Sequence, residues 1–398
     1  MKVIKIISLL SIVIFQSCNT PEKNYSKEIR INLNDKKTIQ YGDYFELNKI
    51  VTLDSEEIIS NIQSVGQLRD NLIVHCRKPS NLILIKNLKN NKEVLINKIG
   101  EGPDEYLNIT NFSVSKSGET FFILDNKKGR ITEVDTLGNI KKIFKNELLN
   151  STYSFTHLKG EIFALHGGNF YYGTLGHQLA IFDFEKDKLL EKFLPIPENQ
   201  RELLFMERNN FTRNEGFYHN MLISKLFQLT DKSIAAEYSV HFENQNMPES
   251  FLNQNFDGLM DFVKTLNKSN YPFKLTDYNV SEKFIYFTFK YKGELYHTLF
   301  DRNTEENITF DHLSNNLYGF SNEKVKADFN KVPLGIFYNS IVFQVDPFEE
   351  IEKMKQIKGK LNDSEWETYV ISNKKWFELF DNVNQNSNPI LVLLNYKG

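Results

Sequence analysis

From Tyr41 to Val345 the sequence repeats one device: a short apolar run, a polar turn, a second apolar run and another turn. Asn71–Val74 is followed by Leu82–Lys86, and Thr120–Leu124 by Arg130–Val134. Glu161–Leu165 is followed by Gln178–Phe184, and Phe284–Phe289 by Leu295–Phe300. Runs of this length with turn residues between them are the signature of sandwiches, barrels and propellers. The chain holds 33 Phe and 18 Tyr against 2 Trp, and aromatic side chains suit pleated surfaces.

The spacing of the runs selects among these architectures. Ile73, Phe122, Phe163, Leu222, Tyr286 and Val342 mark the middle of the second strand in each candidate unit, at intervals of 49, 41, 59, 64 and 56 residues. Four-stranded propeller blades repeat every ~40–50 residues, and the longer intervals leave room for insertions. Six units predict an all-β, six-bladed β-propeller over 41–398, carrying short helical insertions.

Two segments supply those insertions. Phe251, Phe256, Leu259, Phe262 and Leu266 fall near helical spacing, which predicts helix over about 248–268. Trp366, Tyr369, Val370, Trp376, Phe377 and Phe380 form an apolar stripe within about 348–384. Ser364-Glu-Trp-Glu367 there reads as a capping box. Packing against the propeller is the expected use of this stripe.

The N-terminus predicts export. Lys2 and Lys5 precede an apolar run, Ile6–Phe15, broken only by Ser8 and Ser11, and Gln16-Ser17 close the segment. This is the three-part pattern of a secretory signal, and ten apolar residues are too few for a spanning helix, which needs ~20. Cys18 follows directly and resembles a bacterial lipobox cysteine, the site of lipidation after cleavage. Residues 1–17 are therefore expected to be a lipoprotein signal peptide and 18–40 a lipid-anchored tether. Cys76, in the run Leu72–Cys76, is the other cysteine of the chain and reads as a buried strand thiol.

The unit Ile99–Ile140 resembles an NHL-type repeat: Gly100, Gly102 and Pro103 at its entry, then Asp125-Asn126, Arg130-Ile131 and Gly138-Asn139. Gly100 and Gly102 are expected to supply positive φ in the turn between blades, Asp104 to tolerate the left-handed region, and Pro103 to stiffen the turn. The wider chain resembles the six-bladed β-propeller lipoproteins of Bacteroidetes. The resemblance runs through Asp43–Leu53, the GEGPDEY turn, Tyr238-Ser-Val-His-Phe, Met247-Pro-Glu and Ser387-Asn-Pro-Ile-Leu-Val. It implies a ring closed by strands from both chain ends, with Phe45–Leu53 and Ile390–Asn395 as the candidates. It also implies an outer-membrane setting beside nutrient-uptake systems.

Chemistry is sparse. Net charge is −3 with no block of like charge, which argues against nucleic acid as a partner. No CxxC or HExxH spacing occurs, and no GxSxG accompanies His166-Gly-Gly. Ser113–Lys116 is one of three Ser-x-x-Lys matches, a cheap motif without its partner motifs. No catalytic residue, metal ligand or cofactor is expected.

The candidate ligand-binding residues are His166, Phe170, Tyr171, Tyr172 and His177, in a Gly-rich stretch too long for a tight turn, together with Arg208 and Arg213 from another long connection. Aromatics and His at a channel mouth can stack a sugar or hold an anion. The function expected is a non-catalytic binding or scaffold propeller of the cell envelope, handling a glycan or nutrient. Its partners would be the membrane, through the lipid anchor, and a glycan, a peptide or an outer-membrane protein complex. The competing reading is a propeller enzyme (lyase, lactonase or glycan-cleaving) with a metal in the central channel.

Overall fold

The computed structural model describes residues 26–35, 37–79, 81–169, 176–201, 203, 207, 209–322, 331–381 and 387–398. Within them the strands form six sheets in a propeller-like arrangement. The first sheet is Ile59–Leu68, Asn71–Pro79, Leu82–Asn87 and Glu93–Ile96. The second is Asn111–Val114, Thr120–Asp125, Arg130–Asp135 and Ile140–Lys145. The third is Ser154–Lys159, Ile162–His166, His177–Asp183 and Lys188–Pro195. Each is an antiparallel meander in chain order. The fourth is built on Tyr218–Asn220, Ile223–Leu229 and Ile234–Phe242, the fifth on Phe273–Val280, Phe284–Tyr291, Glu294–Asp301 and Asn307–Ser314.

The sixth sheet joins the chain ends. Gly335–Phe337, Ser340–Val345 and Ile390–Tyr396 are followed outward by Phe45–Thr52, with Ile390 opposite Thr52 and Tyr396 opposite Phe45. This is the pairing expected from the two terminal segments.

Apolar clusters lie between neighbouring sheets and run in a circuit. Phe112, Phe121 and Ile123 meet Ile73, Ile83 and Ile85 between the first and second sheets. Phe122, Leu124 and Ile131 meet Phe155, Phe163 and Leu165 between the second and third. Further clusters join third to fourth, fourth to fifth and fifth to sixth. Val342, Leu391 and Leu393 of the sixth pack on Val65, Leu72 and Val74 of the first. Two-sided burial explains strands that read as continuous apolar runs rather than strict alternation. At this last junction Lys86, 0 % exposed, donates to Asp54 Oδ2 at 2.8 Å and Glu93 Oε1 at 2.9 Å.

Residues 27–40 correct the tether expected over 18–40. Lys27–Ile31 adds to the fourth sheet, parallel to Ile234–Phe242, and Lys37–Gln40 adds to the fifth, parallel to Asn307–Ser314. Ile29, Ile31 and Ile39 are buried, and the two strands cover edges that would otherwise offer open hydrogen-bonding groups. The expected mid-strand markers Ile73, Phe122, Phe163, Tyr286 and Val342 fall in second strands, whereas Leu222 falls in the turn before Ile223–Leu229.

Helices occupy both predicted insertions: Glu249–Leu252 and Gly258–Lys268, then Pro347–Lys358, Asp363–Ser372 and Lys374–Phe380. The capping box sits two residues earlier than expected, with Asn362 accepting from Glu365 N while Glu365 accepts from Asn362 N. Trp376 and Phe380 are buried against the fifth and sixth sheets, with Trp366 packed beside them. Cys76 is buried, and burial pushes its thiol up to about 12. Among the described residues no helix is long and apolar enough to cross a membrane.

The GEGPDEY turn is braced by side chains. Arg130, nearly buried, donates to the carbonyls of Pro103 and Glu105 and lies over the Tyr106 ring at 5.2 Å. Lys128 Nζ donates to Gly102 O at 2.8 Å. Gly100, Gly102 and Asp104 do not adopt positive φ, contrary to expectation. Space is the constraint instead: a Cβ on Gly100 would lie 2.1 Å from Glu105 Oε2, the atom that accepts from Gly102 N at 2.8 Å.

Candidate channel-mouth site

A cavity of about 420 Å³ is lined by residues of the six sheets and the turns beside them. Gln67 and Arg69 come from the first sheet, Ser115–Gly118 from the second and Thr156 from the third. Arg213–Glu215 come from the turn leading into the fourth, Val280–Glu282 from the fifth, and Tyr338 and Asn339 from the sixth. A second cavity of about 220 Å³ continues along the channel, lined by Ser64, Asn209, Asp277 and Leu334 among others. Arg213, Asn214 and Val280 line both, so the Arg213 side chain divides the channel.

Arg213 is held by neutral groups alone. Its Nη1 donates to Asn111 Oδ1 at 2.6 Å and to Phe112 O. Its Nη2 donates to Ser64 Oγ and Asn209 Oδ1, both at 3.3 Å, and the guanidinium lies 4.6 Å over the Phe112 ring. No carboxylate among the described residues pairs with it, and burial lowers its pKa to about 10. An enclosed cation without a counter-ion is costly, and its positive field projects into the cavity it lines.

Lys116 is the second cation of the mouth without an ion pair among the described residues. Its Nζ donates to Glu215 O at 3.0 Å, and desolvation lowers its pKa. The other charges are better matched. Arg69 pairs with Glu119 at 2.8 Å, and Arg302 with Glu215 at 3.0 Å. Desolvation raises the Glu215 carboxyl above its usual range, with Arg302 opposing.

Two hairpin tips on the rim are strained. Arg69-Asp70 links the paired residues Leu68 and Asn71, and Tyr338-Asn339 links Phe337 and Ser340. In each tip the first residue has positive φ, 51° for Arg69 and 52° for Tyr338, a position that favours glycine. Tyr338 N donates to Gln67 Oε1 at 2.6 Å, tying the two tips together. The Tyr338 ring is 54 % exposed.

The sequence candidates separate on this geometry. Arg213 lines the mouth. His166 ends the second strand of the third sheet and is fully buried, its Nδ1 3.1 Å from Tyr218 Oη, and burial lowers its pKa to about 3. It is a core histidine, not a surface ligand. His177 begins the next strand, at the end of the sheet opposite the mouth, and is half-buried. Phe170, Tyr171, Tyr172 and Arg208 lie outside the described residues. Lys116 and Tyr338 are not legible as ligand residues in the sequence. For Tyr338 the available signal is a two-residue turn lacking glycine between two apolar runs. Among the described residues no three His, Cys, Asp or Glu side chains converge as metal ligands.

A family model described as a domain of unknown function, DUF4934, matches residues 26–395. The chain belongs to the DUF4934 family. No curated protein matches the sequence. Among solved structures, this DUF4934 chain is similar to an exported protein of Bacteroides fragilis, with 14 % identity and a TM-score of 0.68, covering 94 % of this chain and 100 % of the other. A DUF4221 family member of Bacteroides vulgatus has 11 % identity and a TM-score of 0.49, covering 89 % and 98 %. A virginiamycin B lyase of Staphylococcus aureus has 11 % identity and a TM-score of 0.40, covering 75 % and 95 %. At such identities the likeness is one of fold, and function rests on the site.

Proposed function

We propose that this DUF4934 chain is a lipid-anchored, non-catalytic binding propeller of the cell envelope, with six blades closed into a ring and its ligand at the channel mouth. The observation that carries the reading is the mouth itself: one cavity lined by all six sheets, with two cations that lack ion pairs among the described residues and two strained tips on its rim. Strain of this kind concentrates where function holds a side chain in place. The circuit of apolar clusters and the pairing of Phe45–Thr52 with Ile390–Tyr396 support six blades in a closed ring.

Export is supported by the leader and by the fold shared with an exported Bacteroides protein. Cys18 is the proposed acylation site at the outer membrane. Eight residues separate it from Ser26, a reach of at most about 28 Å. The acyl chains, at ~0.8 kcal/mol per buried CH₂, would hold the chain on its membrane. The propeller would then work close to that surface.

Two measurements test this. Growth with a labelled fatty acid should label the protein and leave it in the membrane fraction, and Cys18→Ala should abolish both. An array of saccharides and peptides should yield a ligand whose binding is weakened by Lys116→Ala. Binding that ignores Lys116→Ala, or an array with no ligand at all, defeats the channel-mouth reading.

A further inference from the structure

The lining of the mouth also constrains the chemical class of its ligand, an inference that rests on the proposed binding role. Its charge can be counted from pairs. Arg69 and Arg302 are matched by Glu119 and Glu215. Arg213 and Lys116 have no ion pair among the described residues, and on the acidic side Glu282, exposed, is in the same position. The lining therefore favours one net negative charge in its occupant, which suits a carboxylate better than a dianionic phosphate. The four Nη–H groups of Arg213 are spoken for by Asn111, Phe112, Ser64 and Asn209, which leaves Nε–H as its remaining donor. Lys116 has spare ammonium donors beyond its one bond to Glu215 O. Two separate donors suit one carboxylate without a bidentate clamp.

Val114 and Val280 are apolar, and the Ser115 and Ser281 hydroxyls are engaged by Glu119 N, Thr120 N and Phe284 O; Ser117, Thr156, Asn214 and Asn339 are the neutral polar groups the lining offers. Hydroxyls and amides of this density match a ligand with many hydroxyls rather than an apolar one. Tyr338 adds the one aromatic ring of the lining, exposed on the rim and held there by a backbone conformation that tyrosine disfavours. An exposed ring of this kind offers an apolar face with a polar tip, as a sugar ring requires. The cavity of about 420 Å³ has the size of a small-molecule site.

We propose that the channel mouth is a receptor site for a carboxylated sugar. Lys116 and the Arg213 Nε–H hold the carboxylate, Ser117, Thr156, Asn214 and Asn339 take hydroxyls, and Tyr338 stacks on the ring face. No bond is made or broken.

The test is titration calorimetry on the full chain with disaccharides ending in glucuronate or galacturonate. Their counterparts with the carboxylate reduced to an alcohol, and acetate and sulfate, serve as controls. The carboxylated sugars should bind at least about tenfold more tightly than the reduced ones, the share of one charge-assisted hydrogen bond. Lys116→Ala should remove most of that ratio. Tyr338→Gly should weaken both sugars while raising the melting temperature, because glycine relieves the positive φ. Affinity lost together with stability would overturn the stacking role.

Equal binding of reduced and carboxylated sugars overturns the acidic class but leaves a channel-mouth ligand in place. Acetate or sulfate binding as tightly as the uronates overturns the sugar. A peptide found by the array, with neither kind of sugar binding, overturns this inference and keeps the binding-module reading.

Discussion

Arg213 and Ser64 stand on sheets three places apart in the circuit of six, yet Arg213 Nη2 donates to Ser64 Oγ at 3.3 Å. The same guanidinium reaches Asn111 and Phe112 on the second sheet. One side chain therefore ties three sheets across the channel, and the fold's centre is polar rather than packed. Its acceptors are carbonyl, amide and hydroxyl oxygens, which hold the group in place without cancelling its charge.

Arg213→Ala should destabilise the protein by about 2–4 kcal/mol, since it strands the Asn111, Phe112 and Ser64 acceptors in a buried site. Arg213→Lys should recover only part of this, because an ammonium cannot reach four acceptors in a fork. Urea unfolding measures both. A loss below about 0.5 kcal/mol for the alanine variant would show that the bridge does not help hold these sheets together.

Arg69→Gly should stabilise the protein by roughly 1 kcal/mol by removing the cost of positive φ in its hairpin tip. The Arg69–Glu119 pair that is lost is exposed on both sides and is worth little. Thermal unfolding reads the change, and a lower melting temperature would contradict it.

Gly100→Ala should cost about 1–2 kcal/mol, because its Cβ displaces the Glu105 carboxylate from Gly102 N. Glu105→Ala clears that space. In the double variant the two costs should add to less than their sum, a coupling that a double-mutant cycle measures directly. Strict additivity would show that the clash is relieved elsewhere.

Burial raises the Glu207 carboxyl from 4.5 to about 7, partly opposed by Asn210 Nδ2 donating to it at 2.8 Å. Between those values the folded protein holds a proton that the unfolded chain has lost. The Glu207 contribution to stability therefore falls as pH rises from 4.5 to 7 and is flat above. Glu207→Gln should remove this slope and gain about 1–3 kcal/mol at about pH 8. Chemical denaturation at about pH 5, 6 and 7 compares the two; parallel curves would rule it out.

The buried histidines act with the opposite sign below about pH 6.5. His75 and His297 are lowered to about 4, and His166 and His219 to about 3, all chiefly by burial. The unfolded chain takes up protons first, so stability is lost as pH falls from 6.5 toward 4. His297→Gln should lessen that loss by one histidine's share, at most ~1.4 kcal/mol per pH unit. An unchanged slope in melting temperature against pH would show that His297 titrates normally.

The fold is readable wherever its signal is local. Phe122 and Tyr286 sit in the strands their apolar neighbours predict, and Trp376 and Phe380 share a buried helical face. Lys27–Ile31 and Lys37–Gln40 are not readable. Each offers only one or two apolar side chains, and each is a strand only because a distant outer strand pairs with it. His166 misleads because its Gly-rich surroundings read as a loop, while the ring itself belongs to the core between the third and fourth sheets. Arg213 is readable as a charge in a long connection, but its reach to Ser64 is not. Tyr338 escapes notice because a turn is sought by its glycine, and here the informative residue is the one standing in glycine's place.

The pairing of residues 390–396 with 45–52 also fixes when the sixth sheet can be completed. The partner of an early strand is made long after it, so the sixth sheet cannot be completed until Ile390–Tyr396 has been synthesised. A premature stop before Ile390 leaves strands 45–52 and 340–345 with bare edges, open to proteases and to aggregation. The seam thus works as a check: a chain carrying both strands seals this sheet, and one cut short of Ile390 advertises its defect.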